Sequence, residues 1–557
     1  MTRHRLGKTS NFHISRNVIV RALYSPSRRL RALALALAVA LAAAGCGGSA
    51  KRSHPTPAPT RPALISIFEA DQLLSNPAAT LDQLRRLGVQ DVRVLVRWRT
   101  VAPAASSTHA PPHFDASSPA AYPAAGWAPY DAIDRDAAAR HMGVLFNITG
   151  GAPQWATGAG FTPGGADGVW RPSASLFEPF VRAVGTRYSG SYTPPGSSSP
   201  LPRVSFWSIW NEPNLGEADL APQATANSTI DVSPKMYRQL LDAGWSGLHR
   251  SGHGDDTILI GELAPYGQTS GFNGNVPGTF GYMVPLRFVR ALYCVNASLH
   301  PLRGTPAAAR GCPTSPSGSR AFAGRHPALF QASGFAVHPY PSGGVAPNVV
   351  LPDEPDFVYL ATLSRLTRVL DAVTRQYGVG RRFPLYSTEY GYRTTPPLPG
   401  GVSVAQAPAY ENWAEYMAWR NPRLRSWDHY LLLDPPVGGP SKFVTGLEFA
   451  NGAPKPTYAA YRMPIYLPTT AQRAGSGLEL WGCVRPIYYE PAPQPARIQL
   501  RAAGQAAFKT IVSVALSRTS CYFDRTIRFP SAGTVRVAWT YSGGPTIYSR
   551  EVAITAG

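Results

Sequence analysis

The sequence predicts an α/β chain, a (β/α)8 barrel followed by a small all-β sandwich, and two observations carry that reading. Between residues 62 and 467, short apolar runs alternate with amphipathic stretches eight times. Strands alternating with helices argue a parallel sheet, and eight repeats argue that it closes into a ring. Beyond 467 the amphipathic stretches stop, and short alternating strands follow one another between Gly, Pro and Ser, as in a sandwich spanning 468–557.

The barrel units are read in order. LISIFEA is the first strand, and PAATLDQLRRLGVQ the first helix, with leucines at helical spacing. DVRVLVRW is the second strand, and APYDAIDRDAAARHMG a helix closed by Gly143. VLFNITG is the third strand, SLFEPFVRAVGTRYS the third helix and VSFWSIWNEPN the fourth strand. SPKMYRQLLDAGWSGLHRSG, TILIGELAPYG and MVPLRFVRALYC supply a helix, the fifth strand and another helix. FQASGFAVHPYP is the sixth strand, DFVYLATLSRLTRVLDAVTRQYG a long helix and FPLYSTEYGYRT the seventh strand. APAYENWAEYMAWRNPRL, SWDHYLLLD and KPTYAAYRM complete the set. An open doubly wound sheet would want a Gly-rich fingerprint after its first strand, and LISIFEADQLL has none.

The chain has 557 residues, 44% of them hydrophobic, enough for a large core and against disorder. Its net charge of +21 is unevenly placed, because the first 61 residues hold eleven basic side chains and no acid. The remainder is dispersed, without a basic run or a stacking-aromatic motif, so a nucleic-acid partner is not expected.

That basic start, SRRLR, leads into ALALALAVALAAAG and then Cys46. The apolar stretch has the length of a signal core and is short for a membrane span. Residues 1–45 therefore read as an export signal. The run before Cys46 resembles the bacterial lipoprotein signal, which implies cleavage before Cys46, acylation of its thiol and a lipid anchor outside the cytoplasmic membrane. An ordinary secretory signal is the alternative. Residues 46–61, GGSAKRSHPTPAPTR after the Cys, form a Gly/Ser/Pro tether. The other cysteines, Cys294, Cys312, Cys483 and Cys521, are even in number, as suits an exported chain. They suggest disulfides 294–312 and 483–521. No Cys/His cluster suggests a metal.

Active residues of such barrels sit at the C-terminal ends of strands. Strand four ends in Asn211-Glu212, strand seven in Glu389, and strand six in His338 and Tyr340, while strand two carries Arg93. Two carboxylates facing each other across the mouth are what glycosidic-bond cleavage needs: one protonates the leaving oxygen, and the other attacks or stabilises the anomeric carbon. A separation near 5 Å makes the second a nucleophile with retention, whereas a wider gap admits water and inverts. Arg93 is placed to hold that carboxylate ionised. Each residue also has an ordinary reading: Glu212 as a helix-start acid, Asn211 as a turn former, His338 as a packed histidine. Glu262, ending strand five, reads as structural.

Together VRV, WNEPN, HPY and TEYG resemble clan A of the glycoside hydrolases, families 5 and 39 above all, over residues 62 to 465. The resemblance implies Glu212 as acid/base and Glu389 as nucleophile, with retention of configuration. It makes Asn211 the ligand of the sugar 2-hydroxyl, Arg93 and Tyr340 the groups that orient Glu389, and His338 an edge of the reactive subsite. It departs at strand eight, where SWDHYLLLDPP lacks the usual terminal Trp, and Trp155, Trp170 or Trp210 is left to supply a sugar platform. An oligo- or polysaccharide substrate and no cofactor follow. A carbohydrate-binding envelope lipoprotein without turnover is the runner-up.

Overall fold

In the computed structural model, residues 63–556 are described, apart from 159–167, 217, 226, 228, 269–281 and 440. The signal, the tether and Cys46 therefore lie outside the described residues.

Eight parallel strands make the central sheet: β1 (Ile65–Glu69), β2 (Asp91–Arg97), β3 (Gly143–Thr149), β4 (Phe206–Ile209), β5 (Thr257–Leu263), β6 (Gly334–Val337), β7 (Leu385–Ser387) and β8 (Ser426–Tyr430). Their order is β8-β1-β2-β3-β4-β5-β6-β7. A parallel bridge between Leu385 and Leu424 joins the two ends, with Leu385 N–H donating to the Arg423 carbonyl at 2.8 Å. The (β/α)8 expectation holds. These strands are buried on both faces, which is why they read as near-continuous apolar runs.

The main helices cover the outside: α1 (Pro77–Leu87), α2 (Ala124–Ala139), α3 (Ala174–Arg187), α4 (Ser233–Arg250), α5 (Pro285–Leu292), α6 (Leu363–Gln376), α7 (Ala407–Arg420) and α8 (Pro456–Arg462). α1 shows the local logic. Pro77 opens it, where a missing N–H costs nothing. Leu81, Leu84 and Leu87 bury one face, and Gly88 ends it in the left-handed region at φ 83°.

Several boundaries differ from the sequence reading: strands such as Phe206–Ile209 and Gly334–Val337 are shorter than the runs that predict them, Phe330 and Gln331 belong to a short helix, and two helix boundaries shift. α2 stops at Ala139, and Gly143 opens β3 instead of closing the helix. The long helix begins only at Leu363, because Tyr359 and Thr362 satisfy each other's backbone in a capping arrangement just before it.

The all-β region has two sheets. β9 (Ile465–Tyr466), β11 (Leu478–Cys483) and β14 (Tyr522–Ile527) form the smaller, in the order β9-β11-β14. β10 (Ala471–Gln472), β12 (Ala496–Ala502), β13 (Lys509–Val514), β15 (Gly533–Thr540), β16 (Thr546–Tyr548) and β17 (Val552–Ala556) form the larger, in the order β10-β17-β15-β12-β13 with β16 on β15. Its core is built from Leu480, Ile498, Val535, Val537 and Trp539. Both expected disulfides are formed, Cys294–Cys312 and Cys483–Cys521. Among the described residues no helix is long and apolar enough to cross a membrane.

The described residues make one compact unit, so the sheets and the barrel are packed together. Arg485 is the centre of that contact. It is buried, pairs with Glu415 of α7 at 2.5 Å, and lies 4.1 Å over the Tyr461 ring. Tyr522 O–H also donates to Glu415, at 2.9 Å. Gly88 fits under Arg485 only because it has no side chain: a Cβ there would lie 2.3 Å from the Arg485 carbonyl carbon.

Candidate active site

The strand ends converge as the sequence reading requires, but the key side chains stand just beyond the strands. β4 stops at Ile209, and the turn that follows puts two non-glycine residues, Trp210 and Glu212, at φ 67° and 30°. Such backbone is costly and persists only where neighbours fix it. Here Trp210 N–H donates to the Ile148 carbonyl at 2.8 Å, and Asn211 N–H to Thr149 Oγ1 at 2.9 Å. The turn aims Glu212 into the barrel mouth. Glu389 lies two residues past β7, and His338 one residue past β6.

A carboxylate oxygen of Glu212, one of Glu389 and a ring nitrogen of His338 all lie within 4.8 Å of one another. The two glutamate side chains are 14% and 11% exposed, enough for a ligand to reach them.

Arg93 binds the cluster from below and is fully buried. The parallel register places it beside Glu69 on β1. Its Nη1 donates to Glu69 and, at 2.8 Å, to Glu389 Oε1. Its Nη2 donates to Asn211 Oδ1 at 2.7 Å and to Glu262 Oε2 at 3.0 Å. Tyr340 O–H donates to the other oxygen of Glu389, at 3.0 Å. Both nucleophile-side expectations, Arg93 and Tyr340 on Glu389, correspond to contacts in the fold.

His338 is the second hub. Nδ1 lies 2.8 Å from Glu212 Oε1 and 3.4 Å from Glu389 Oε2, while Nε2 lies 2.8 Å from Glu262 Oε2. Burial disfavours its charge, yet the carboxylates of Glu389, Glu212 and Glu262 outweigh burial and raise the imidazole to about 10. It is an imidazolium at neutral pH, so both ring nitrogens donate. Burial likewise raises Glu262, but Arg93 and then His338 overcome it and bring the carboxyl down to about 2. Thr388 Oγ1 adds a hydrogen bond at 2.8 Å. Glu262 is thus a carboxylate held between two cations, Arg93 and His338.

Glu212 is different. Its carboxyl is raised, chiefly by burial; the His338 hydrogen bond works against that, and the charge of Glu389 adds to it. Asn211 gives its oxygen to Arg93 and donates through Nδ2 to Asp219 Oδ1 at 3.2 Å. Burial, with Glu212 next, raises Asp219 well above the usual carboxylate range.

Two adjoining lobes meet at Glu212. The first, about 210 Å³, is polar and is walled by Glu69, Asp71, Arg97, Asn211, Glu389 and Tyr430. The second, about 240 Å³, is walled by Pro265, Tyr266, Tyr340, Pro341 and Arg393. Glu212, Tyr282 and Phe443 border both. A separate hollow of about 280 Å³, near Asp91, Asp134 and Arg203, lies at the opposite, N-terminal end of the strands, away from these carboxylates.

Trp155 stands elsewhere. It packs edge-on against Trp98 at 6.0 Å and Phe114 at 5.8 Å, gives its N–H to the Pro103 carbonyl, and borders neither lobe. Trp210 is fully buried against Phe177. The position at the end of β8 belongs to Tyr430, which walls the polar lobe, while Trp427 is buried against Tyr390 at 4.4 Å.

Sequence reasoning passed over Glu69, Asp219 and Tyr430. Glu69 carried a usable signal, an acid ending an apolar strand, the same one that singles out Glu212. Burial, opposed by Arg93 and reinforced by Glu389, raises Glu69 to about 7.

No family model and no curated protein matches the chain. Among solved structures it is similar to a family 39 glycoside hydrolase from the gut symbiont Bacteroides cellulosilyticus WH2 (15% identity, 84% of this chain and 79% of that one, TM-score 0.43). It is also similar to a glucosidase from Croceicoccus marinus (13%, 89% and 92%, 0.43) and to a family 1 β-glucosidase from Thermotoga maritima (17%, 68% and 82%, 0.41).

Proposed function

We propose that this chain is an exported glycoside hydrolase that cleaves β-glycosidic bonds with retention, Glu212 serving as acid/base and Glu389 as nucleophile. The observation that carries the reading is the pair of glutamate oxygens within 4.8 Å of each other in one cavity. Retaining enzymes hold their carboxyls about 5–5.5 Å apart, whereas inverting enzymes leave about 6.5–9.5 Å for water.

The residues divide the work. Arg93 and Tyr340 bind the two oxygens of Glu389 and hold it for attack on the anomeric carbon. As acid, Glu212 must enter the reaction protonated, and burial shifts its carboxyl in that direction. His338 occupies Oε1, which leaves Oε2 to carry the proton to the departing oxygen. Once Glu389 is esterified its charge is gone, and with it one cause of the raised Glu212 carboxyl. Glu212 then leaves the first step as a carboxylate fit to take a proton from water. Asn211 would meet the sugar 2-hydroxyl through Nδ2, since Arg93 already holds its oxygen.

Export is supported by the two disulfides, which persist in oxidising compartments. The signal at 1–45, the tether at 46–61 and acylation of Cys46 belong to the same proposal, as do a catalytic barrel at 62–467 and a β-sandwich domain at 468–557 packed on it.

The test is a panel of aryl β-glycosides assayed with the wild type, Glu212→Gln and Glu389→Gln. Each variant is expected to lose at least a thousandfold in kcat. Glu389→Ala with added azide is expected to give the α-glycosyl azide, read by NMR. Undiminished hydrolysis in both variants, or an inverted sugar from the wild type, would sink the assignment.

A further inference from the structure

The two lobes are unequal in a way that orients a substrate, and this reading rests on the glycosidase proposal. Glu389 borders only the polar lobe, while Glu212 borders both. In the first step the anomeric carbon forms a bond to a Glu389 oxygen as the glycosidic C–O bond breaks. The Glu212 proton goes to the departing oxygen, and the alcohol leaves. The ring under attack must therefore lie with Glu389 in the polar lobe, and the alcohol must depart past Glu212 into the other lobe. Water then adds at the anomeric carbon, returns a proton to Glu212 and frees the sugar.

The second lobe is mostly apolar: its polar side chains are Arg393 and Thr445, with Glu212 and Tyr282 on the border it shares with the first. Tyr266 spends its O–H on the Tyr340 carbonyl, and Tyr340 spends its own on Glu389. Their rings, with Pro265, Pro341 and Phe443, make the wall. Phe443 is 40% exposed, although its ring touches Tyr340 and Tyr430. Beyond the lobe's own wall, the connections after β6 and β8, at the same end of the barrel, expose Val345, Val349, Val350 and Val437. A second sugar in that lobe could lay one face on the rings, but its outward hydroxyls would find only Arg393 and Thr445 among mostly apolar walls, and a polar group that loses water without a partner is costly. An exposed apolar surface beside a polar cleft marks a place where an apolar group is bound.

We infer that the natural leaving group is an apolar alcohol, aromatic or long-chain, and not a further sugar of a glycan chain. The experiment compares ethyl, 2-phenylethyl and octyl β-glycosides and the corresponding β-linked disaccharides, across glucose, galactose, mannose and xylose. Simple alcohols of similar acidity differ here mainly in what they touch. The wild type is expected to show a kcat/KM at least tenfold higher for the phenylethyl or octyl glycoside than for the ethyl glycoside or the disaccharide. Phe443→Ala is expected to collapse that ratio, and Phe443→Leu to restore part of it. The phenylethyl arm against the octyl arm separates an aromatic aglycone from a lipid. Equal or better use of the ethyl glycoside or the disaccharide overturns the inference and leaves the glycosidase reading standing. Hydrolysis of none of the compounds overturns the glycosidase reading, and the inference falls with it.

Discussion

Glu69 and Glu389 accept hydrogen bonds from the same nitrogen, Nη1 of Arg93, although 320 residues of sequence separate the two acids. The guanidinium has four acceptors in all, two on each terminal nitrogen. A lysine ammonium, with three donors at one point, cannot reproduce that planar arrangement. Arg93→Lys is therefore expected to lower kcat/KM at least a hundredfold, about 2.7 kcal/mol at about 1.36 kcal/mol per tenfold. Its melting temperature should fall as well, since carboxylates that have lost a buried partner are destabilising. Near wild-type kinetics would show that Arg93 does not act through Glu389.

Stability should depend on pH in a defined way. The raised imidazole of His338 contributes stability that is complete below about 6.5 and is lost as pH climbs towards about 10. The depressed carboxyl of Glu262 contributes above about 4.5 and loses it as pH falls towards about 2. Glu69 acts against the fold: ionising it between about 4.5 and about 7 costs stability as pH rises. Melting curves should peak at weakly acidic pH and decline on the alkaline side. In Glu69→Gln the part of the decline below about pH 7 should shrink. An unchanged slope over that interval would remove Glu69 from the account.

The contact between the β-region and the barrel should be structural. Removing Arg485 leaves Glu415 buried without its cation, and breaking such a pair costs about 3–5 kcal/mol. Arg485→Met is expected to lower the melting temperature by several degrees while leaving KM close to wild type. A chain ending at residue 467 is expected to be insoluble, because it uncovers Glu415, Tyr461 and the surface around Gly88. A soluble, active truncated chain would contradict this.

Reduction offers a separate check. Cys483 and Cys521 are 38 residues apart, and Cys294 and Cys312 are 18 apart. On the loop-entropy account the longer closure contributes about 4 kcal/mol and the shorter about 3. Cys483→Ala/Cys521→Ala is expected to melt lower than Cys294→Ala/Cys312→Ala. The reverse order would show that strain or residual structure outweighs loop length.

The barrel was legible because buried parallel strands must be apolar over their whole length, which sets them apart from helices with one greasy stripe. Glu212 and Glu389 were legible as acids where apolar strands end. Glu69 offered the same mark but has no recognisable neighbours in ISIFEA. Asp219 reaches Asn211 from a loop whose spacing predicts nothing. The helix starting at Leu363 was overextended because Tyr359 and Thr362 look like helical residues, whereas Thr362 Oγ1 accepts from the Tyr359 N–H at 3.0 Å and caps the chain there. The short helices between 304 and 331 are four to six residues each, too short for an apolar period to show. Trp155 looked available for a ligand because tryptophan in a loop can serve either purpose; here Trp98 and Phe114 claim it.

The partners named for Glu212, Glu389 and Arg93 come from strands or from the first three residues after them. The long connections beyond those points contribute none of these bonds. Changes in the connections can therefore alter what the mouth accepts while leaving these hydrogen bonds in place. Descendants of such a chain can diverge in diet while the same handful of strand termini stays put.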